Sequence, residues 1–435
     1  MGNLNEKFLN YKPYRPDQPQ HFAITDFYSN YEEIVKHPGP EEHVTRFQSG
    51  IIFRFFYMIL SINPSQWLFL ALVGLLSALS GALIDSIGSY GKKIKESIPE
   101  VVPQPFSFIT YAIYGLFFAF IAAAVGEYVS RDVEGSGVPE IKTILSGTSI
   151  YRYLSFKVMI SKFIGLISAL TSGFFVGKEG PNIHFAVCIA NQLMRIPIFR
   201  HFKTNESTKR IMFIASSSAG AVSTFCAPIG GVLLSIELAS TSFIVSNLWR
   251  SFFCAVFCMI GFKLLVFLGI ITQFSFTNYQ PISLVSFEMV TYAFAGMLSS
   301  MFASILVYFL ARINILRNKL SIRFLSNRWY YTFSASLIIS ACSYGMILFH
   351  LGDKKILSDL FSDENIEVIR PYWANPSPLF NLFFYTATRL FMTILSLTCP
   401  IPAGVFAPSI VLGAAFGRFI GYLFSFITTV KCNFI

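Results

Sequence analysis

The chain has 435 residues, of which 54% are hydrophobic and only 13% charged, with a formal net charge of +10. Charged residues make up about a quarter of an average soluble chain, so half that share excludes a globular cytosolic enzyme and points to lipid as the solvent. The basic excess does not favour nucleic acid as a partner, because it lies in short links between apolar runs: Lys92, Lys93 and Lys95; Arg195, Arg200, Lys203, Lys209 and Arg210; and Arg312, Arg317, Lys319, Arg323 and Arg328. Links of this kind face the cytosol in membrane proteins.

Residues 1–46 are polar and dotted with proline, with no basic-then-apolar signal peptide, and are expected to form a soluble cytosolic tail. Gly2 does not mark myristoylation, because Glu6 stands where that signal needs Ser or Thr. The membrane region, expected over 47–435, opens in earnest at Trp67–Ile87, where Gly74, Ser77 and Gly81 allow close helix contact. Apolar runs near spanning length follow: Phe106–Val125, Phe163–Val176, Ile211–Ile236, Phe252–Thr272, Tyr292–Leu310, Tyr331–Leu348 and Val405–Thr428. Asn205-Glu206-Ser207 is a glycosylation triplet of a kind frequent by chance, and is not expected to be used. The run from Ile211 is broken at Cys226-Ala227-Pro228-Ile229-Gly230-Gly231, and a polar loop covers Gly352–Pro378. Gly413, Gly417 and Gly421, four residues apart, make a smooth face on the last helix. The seven cysteines contain no CxxC and read as small core residues, with neither a disulfide framework nor a zinc site. No GxxxxGK[ST] or HExxH motif is present, so neither an enzyme, a cofactor nor a metal is expected.

Two stretches organise the rest. Gly135-Ser136-Gly137-Val138-Pro139-Glu140 and, about forty residues on, Gly177-Lys178-Glu179-Gly180-Pro181-Asn182-Ile183-His184 set Gly/Pro-rich backbone against apolar sequence. Irregular backbone at such depth is tolerated only where it is buried in protein or lines a cavity. Pro139 and Pro181 each read as a helix start, and the free N–H groups and positive dipole end of a helix start attract anions. Pro400–Pro408 repeats the plan before the last helix, and paired interruptions are the mark of inverted repeats. The residues alone therefore point to an anion pathway.

These motifs, followed by Gly404-Val405-Phe406-Ala407-Pro408, resemble the three anion-binding signatures of the CLC chloride channel/transporter family, in order, over about Trp67 to Phe426. The resemblance implies an all-α membrane protein, an inverted-repeat bundle of tilted and broken helices, with a first repeat at about 60–250 and a partial second at about 251–435. It also implies chloride as the transported ion, with no cofactor, a homodimer in a lipid bilayer, and the plasma membrane as the resident membrane. The chain stops at Ile435, where family members continue through further membrane helices and, in eukaryotes, a pair of CBS domains. It is therefore expected to be a truncated form or a fragment.

Carried over residue by residue, the resemblance makes Glu179 the gating glutamate, whose carboxylate competes with the ion. Chloride contacts are implied for Ser136, Gly137, Val138, Lys178, Gly180, Val405 and Phe406, the last two through backbone amides. Three of these assignments have a plainer rival. Ser136 is also an ordinary helix cap, Glu179 could pair with Lys178 or another cation, and Phe406 could be plain core in a chain with 48 phenylalanines. Lys162 either raises the local potential for anions or snorkels to the interface. His184 is expected only to pack and hydrogen-bond. Where exchangers of the family carry two consecutive glutamates, this chain has Glu237-Leu238, and Leu238 cannot relay a proton. Ala239–Phe243 and Trp249–Phe253 also resemble the channel branch. The reading is thus a passive chloride channel, with a chloride/proton exchanger and a non-conducting subunit as its rivals.

Overall fold

The computed structural model describes residues 64–103, 106–238, 245–268, 288–319, 327–362, 366 and 371–432. The polar tail and the stretch Ala239–Phe243 lie outside the described residues. Within them the regular secondary structure is helical, apart from one isolated antiparallel bridge between Gly177 and Gly404. Six helices are long and apolar enough to cross a membrane, by length and composition.

Helix α1 (Pro64–Val101) carries no charge from Trp67 to Ile84. Sequence reasoning ends this span near Ile87 and places Lys92, Lys93 and Lys95 in a link. The helix instead continues through them. Gly88 and Gly91 let α4 (Phe156–Ser172) come close, and a Cβ on Gly91 would lie 2.6 Å from the Thr171 side chain. Packing of this kind sustains helix that local propensity would not. Lys95 is buried and donates to Ser172 O at 2.6 Å, a cation at the C-terminal end of α4.

α2 (Phe106–Tyr128) buries a stripe of Ala and Gly and leaves Ile109, Ile113, Phe117 and Phe120 exposed, an apolar face suited to lipid. α3 (Val138–Leu145) is short, and α4 starts at Ser155, whose hydroxyl accepts from Val158 N at 3.3 Å. α5 (Glu179–Leu193) is buried along most of its length. After the short α6 (His201–Thr204), α7 (Glu206–Phe225) is capped by Asn205, whose Oδ1 accepts from Ser207 and Thr208 N–H. The asparagine of the glycosylation triplet thus has a structural task. The break foreseen at Cys226 separates α7 from α8 (Pro228–Leu238). Leu238 ends α8, and its side chain lies outside the described ones.

α9 (Val245–Phe267) packs on α1, as Gly74 and Gly81 foretell: a Cβ on Gly74 would lie 2.7 Å from Cys254 O, and one on Gly81 3.0 Å from Ser223 O of α7. Then come α10 (Glu288–Lys319), α11 (Arg328–Gly345), α12 (Ile347–His350), α13 (Asp353–Leu360), α14 (Pro371–Ala374), α15 (Pro378–Leu397) and α16 (Phe406–Cys432). α10 takes in Arg312, Arg317 and Lys319, and the loop expected at 352–378 contains α13 and α14. The glycine face of α16 meets nothing within 4 Å among the described residues.

Among the described residues two large apolar cores result, with a smaller cluster at Ile84, Leu166 and Phe185. One gathers α1, α3, α5, α7 and α9 around Phe69, Ile183, Phe213 and Cys258. The other gathers α2, α11, α13, α15 and α16 around Phe175, Tyr385, Ile401 and Val411. Cys188, Cys254, Cys258 and Cys399 are free and buried, as small core residues should be.

Candidate anion site at the seam of two cores

Three non-helical crossings meet where the cores adjoin. The first precedes α3, the second joins α4 to α5, and the third joins α15 to α16. Backbone hydrogen bonds lace them together. Gly135 N donates to Ile401 O (3.0 Å) and Ala403 N to Gly135 O (3.3 Å). Gly177 N donates to Gly404 O (2.7 Å) and Gly404 N to Gly177 O (2.8 Å). The first and second crossings touch directly, since a Cβ on Gly180 would lie 2.6 Å from Ser136 Cβ. The three signatures, spread from Gly135 to Pro408 along the sequence, are therefore one locus.

Neighbouring helices hold these crossings still. Phe175 N donates to Ser396 Oγ of α15 at 3.0 Å, and the Phe175 ring lies under the Arg389 guanidinium at 4.1 Å. Tyr331 of α11 shares a hydrogen bond of 2.6 Å with Thr398 Oγ1, and Arg317 of α10 donates to Thr398 O.

Glu179 is the first residue of α5 and only 5% exposed. Its Oε2 accepts from Ala407 N, in the first turn of α16, at 3.3 Å. A Cβ on Gly177 would collide with this oxygen and one on Gly404 would lie 3.2 Å from it, so both glycines make room for the carboxylate. The acid thus sits at the N-terminal ends of two helices, where backbone N–H groups have no partner within their own helix and the dipole favours negative charge.

Lys178, the neighbour that could have neutralised Glu179, pairs instead with Asp85 of α1 at 2.5 Å. Val405 and Phe406 are about half exposed, and the Phe406 ring edges onto Phe225 at 5.3 Å. Ser136 Oγ accepts from Val138 N at 3.3 Å. The hydroxyl still has its proton to donate, so capping α3 and contacting an anion are compatible. Gly137 is the N-cap of α3 with φ 85°, a left-handed conformation that favours glycine. Lys162 is fully buried and does not reach an interface. Its Nζ would lie 2.8 Å from a Cβ on Gly137, directly beneath the first crossing.

Glu179 also lines a cavity of about 1200 Å³ whose walls include Lys92, Lys93, Lys178, Lys354 and Lys355, with Asp85, Glu96 and Asp353 among them.

The family model described as voltage gated chloride channel matches residues 117–433. The chain belongs to that family. Among its relatives, human chloride channel protein 2 is 32% identical over 390 residues, covering 82% of this chain and 43% of its own length. Chloride channel protein E of Dictyostelium discoideum is 28% identical over 439 residues, covering 92% of this chain and 43% of that protein. The chain therefore spans less than half the length of these curated relatives. Among solved structures, a eukaryotic CLC transporter aligns with TM-score 0.68 and 27% identity, over 83% of this chain and 60% of the other. A slow cyanobacterial Cl⁻/H⁺ antiporter shares the fold, with TM-score 0.66 at 20% identity over 84% of this chain and 81% of the other. The protein is thus a multi-pass membrane protein of the CLC channel/transporter family.

Sequence reasoning misses three contributors to the site. Asp85 was detectable, as the one charge within the apolar stretch Trp67–Ile87. The Ala407 amide and the Tyr153 ring beneath Gly137 carry no sequence signal, because a backbone N–H belongs to every residue and an aromatic among so many is unmarked.

Proposed function

We propose that this chain is the ion-conducting part of a passive chloride channel gated by Glu179. The observation that carries the reading is the Glu179 carboxylate on the Ala407 amide, between the N-termini of α5 and α16. A negative group there occupies ground that an anion would otherwise take, and its withdrawal on protonation or displacement frees that ground. The Ser136 hydroxyl, the Val405 and Phe406 amides and the backbone of Gly137, Val138, Lys178 and Gly180 are the groups left to receive chloride. Lys162 adds a fixed positive potential from below the crossing.

Leu238 supports the passive mode over exchange, since a leucine at the end of α8 offers no proton acceptor. Exchange is the second reading, favoured by the likeness in fold to proteins described as antiporters. The plasma membrane and a homodimer complete the proposal. Reconstitution of the chain in proteoliposomes decides between the modes. A chloride gradient is expected to move chloride without moving protons; protons driven uphill would establish exchange, and no chloride flux at all would favour the non-conducting subunit.

A further inference from the structure

Two groups that the proposed function leaves idle, His184 and Tyr153, meet Lys162 under the first crossing. His184, on α5, is 1% exposed, and its ring stacks on that of Tyr153 at 4.3 Å and 9°. Its Nε2 lies 3.3 Å from Tyr153 O. A carbonyl oxygen only accepts, so the proton is on Nε2 and Nδ1 presents a lone pair. Neither Nδ1 nor the Lys162 ammonium has a hydrogen-bond partner among the described residues. Both face the same glycine. A Cβ on Gly137 would lie 2.8 Å from Lys162 Nζ, 2.9 Å from the Tyr153 hydroxyl and 3.1 Å from His184 Nδ1. A buried ammonium without an acceptor is costly, and a buried lone pair without a donor costs too. The two needs answer each other across one gap. The Tyr153 hydroxyl donates towards Glu140 Oε2 at 3.5 Å, which leaves its own lone pairs for the lysine.

We infer that His184 is a positioning residue for Lys162: its Nδ1, together with the Tyr153 hydroxyl, receives the Lys162 ammonium through one buried water and fixes the cation against Gly137, beside Ser136. The bridging molecule is water and not a second anion. The lone pair on Nδ1 repels an anion, whereas water accepts from the lysine and donates to the imidazole. The inference rests on the proposed function only where it concerns anion flux.

Two measurements on the full chain in lipid test it. In protein labelled with ¹⁵N-histidine, the His184 signal is assigned by its loss in His184→Phe. Nδ1 is expected to be an unprotonated, hydrogen-bonded nitrogen whose resonance moves to that of a free lone pair in Lys162→Met. A proton on Nδ1, or no movement in Lys162→Met, overturns the inference whether or not the chain conducts. In chloride flux, His184→Phe is expected to reduce transport, and His184→Asn, whose side-chain oxygen can stand near Nδ1, to restore part of it. The double variant His184→Phe/Lys162→Met should be no worse than Lys162→Met, departing from independence by at least about threefold, as coupled neighbours do. Independent, multiplying losses contradict the inference, and absent flux in every variant counts against the conduction reading while the resonance still decides this one.

Discussion

Single side chains at the crossings carry unequal burdens. Ser136 has a light structural duty, one capping bond of 3.3 Å, so its replacement should act on selectivity more than on folding. Ser136→Pro is expected to shift preference from chloride towards nitrate, read from reversal potentials in mixed anions; unchanged reversal potentials would take Ser136 out of the pathway. Gly137 is the opposite case. Its φ of 85° disfavours any side chain by about 1–2 kcal/mol, and a Cβ would also press on the Lys162 ammonium. Gly137→Ala should therefore lower the thermal unfolding temperature in detergent and cut flux together; a stable, fully conducting variant would show that the first crossing is looser than its geometry. At Glu179 the expectation reverses again. Glu179→Gln keeps the shape but not the charge, and should weaken the dependence of gating on pH and voltage while flux persists. Gating that tracks the unaltered protein would remove the acid from its assigned role.

Among the elements, α13 and α15 illustrate how the second crossing is braced from behind. Arg389, 1% exposed on α15, makes a two-pronged pair with Asp353 at the start of α13, at 3.0 and 2.8 Å, and lies over Phe175. Burial pushes the Asp353 carboxyl up, but the Arg389 guanidinium and Lys92 outweigh it and hold the group at about 2, below its ordinary 3.8. A depressed carboxyl stabilises the fold above its unfolded value and loses that stabilisation as pH falls through the folded one. The unaltered chain should thus be more stable than Asp353→Asn from pH 7 down to about 4, with the gap closing towards pH 2. A gap independent of pH would mean that the pair contributes by shape alone. Helix starts and breaks were legible in the sequence where they depend on local chemistry, as at Pro139, at Pro181 and at Pro228. The run of α1 through Lys92, Lys93 and Lys95 was not, because it depends on Leu170 and Thr171 of α4, far away in sequence, packing against Gly88 and Gly91. The same limit hid the Lys178–Asp85 pair and the seat of Lys162 against Gly137. A spacing can mark a lysine as buried, but only the fold decides what stands beside it.

For the molecule as a whole, the site belongs to neither core alone. The α3 and α5 starts come from one cluster and the α16 start from the other, joined by the Gly177–Gly404 bridge. This explains why three short motifs, far apart in the chain, announced the family before any fold was known. Each must present backbone to the same point, which accounts for the Gly and Pro that all three contain. A cavity lined by five lysines and four acids opens beside Glu179 on one side of that point. The most direct measurement is anomalous diffraction from crystals of Glu179→Gln grown with bromide in place of chloride. The account predicts a bromide peak at the former carboxylate position, within contact of the Ala407 amide, that is absent from the unaltered protein. Crystals of Glu179→Gln without a peak there, or an equal peak with Glu179 still seated on Ala407, would contradict it.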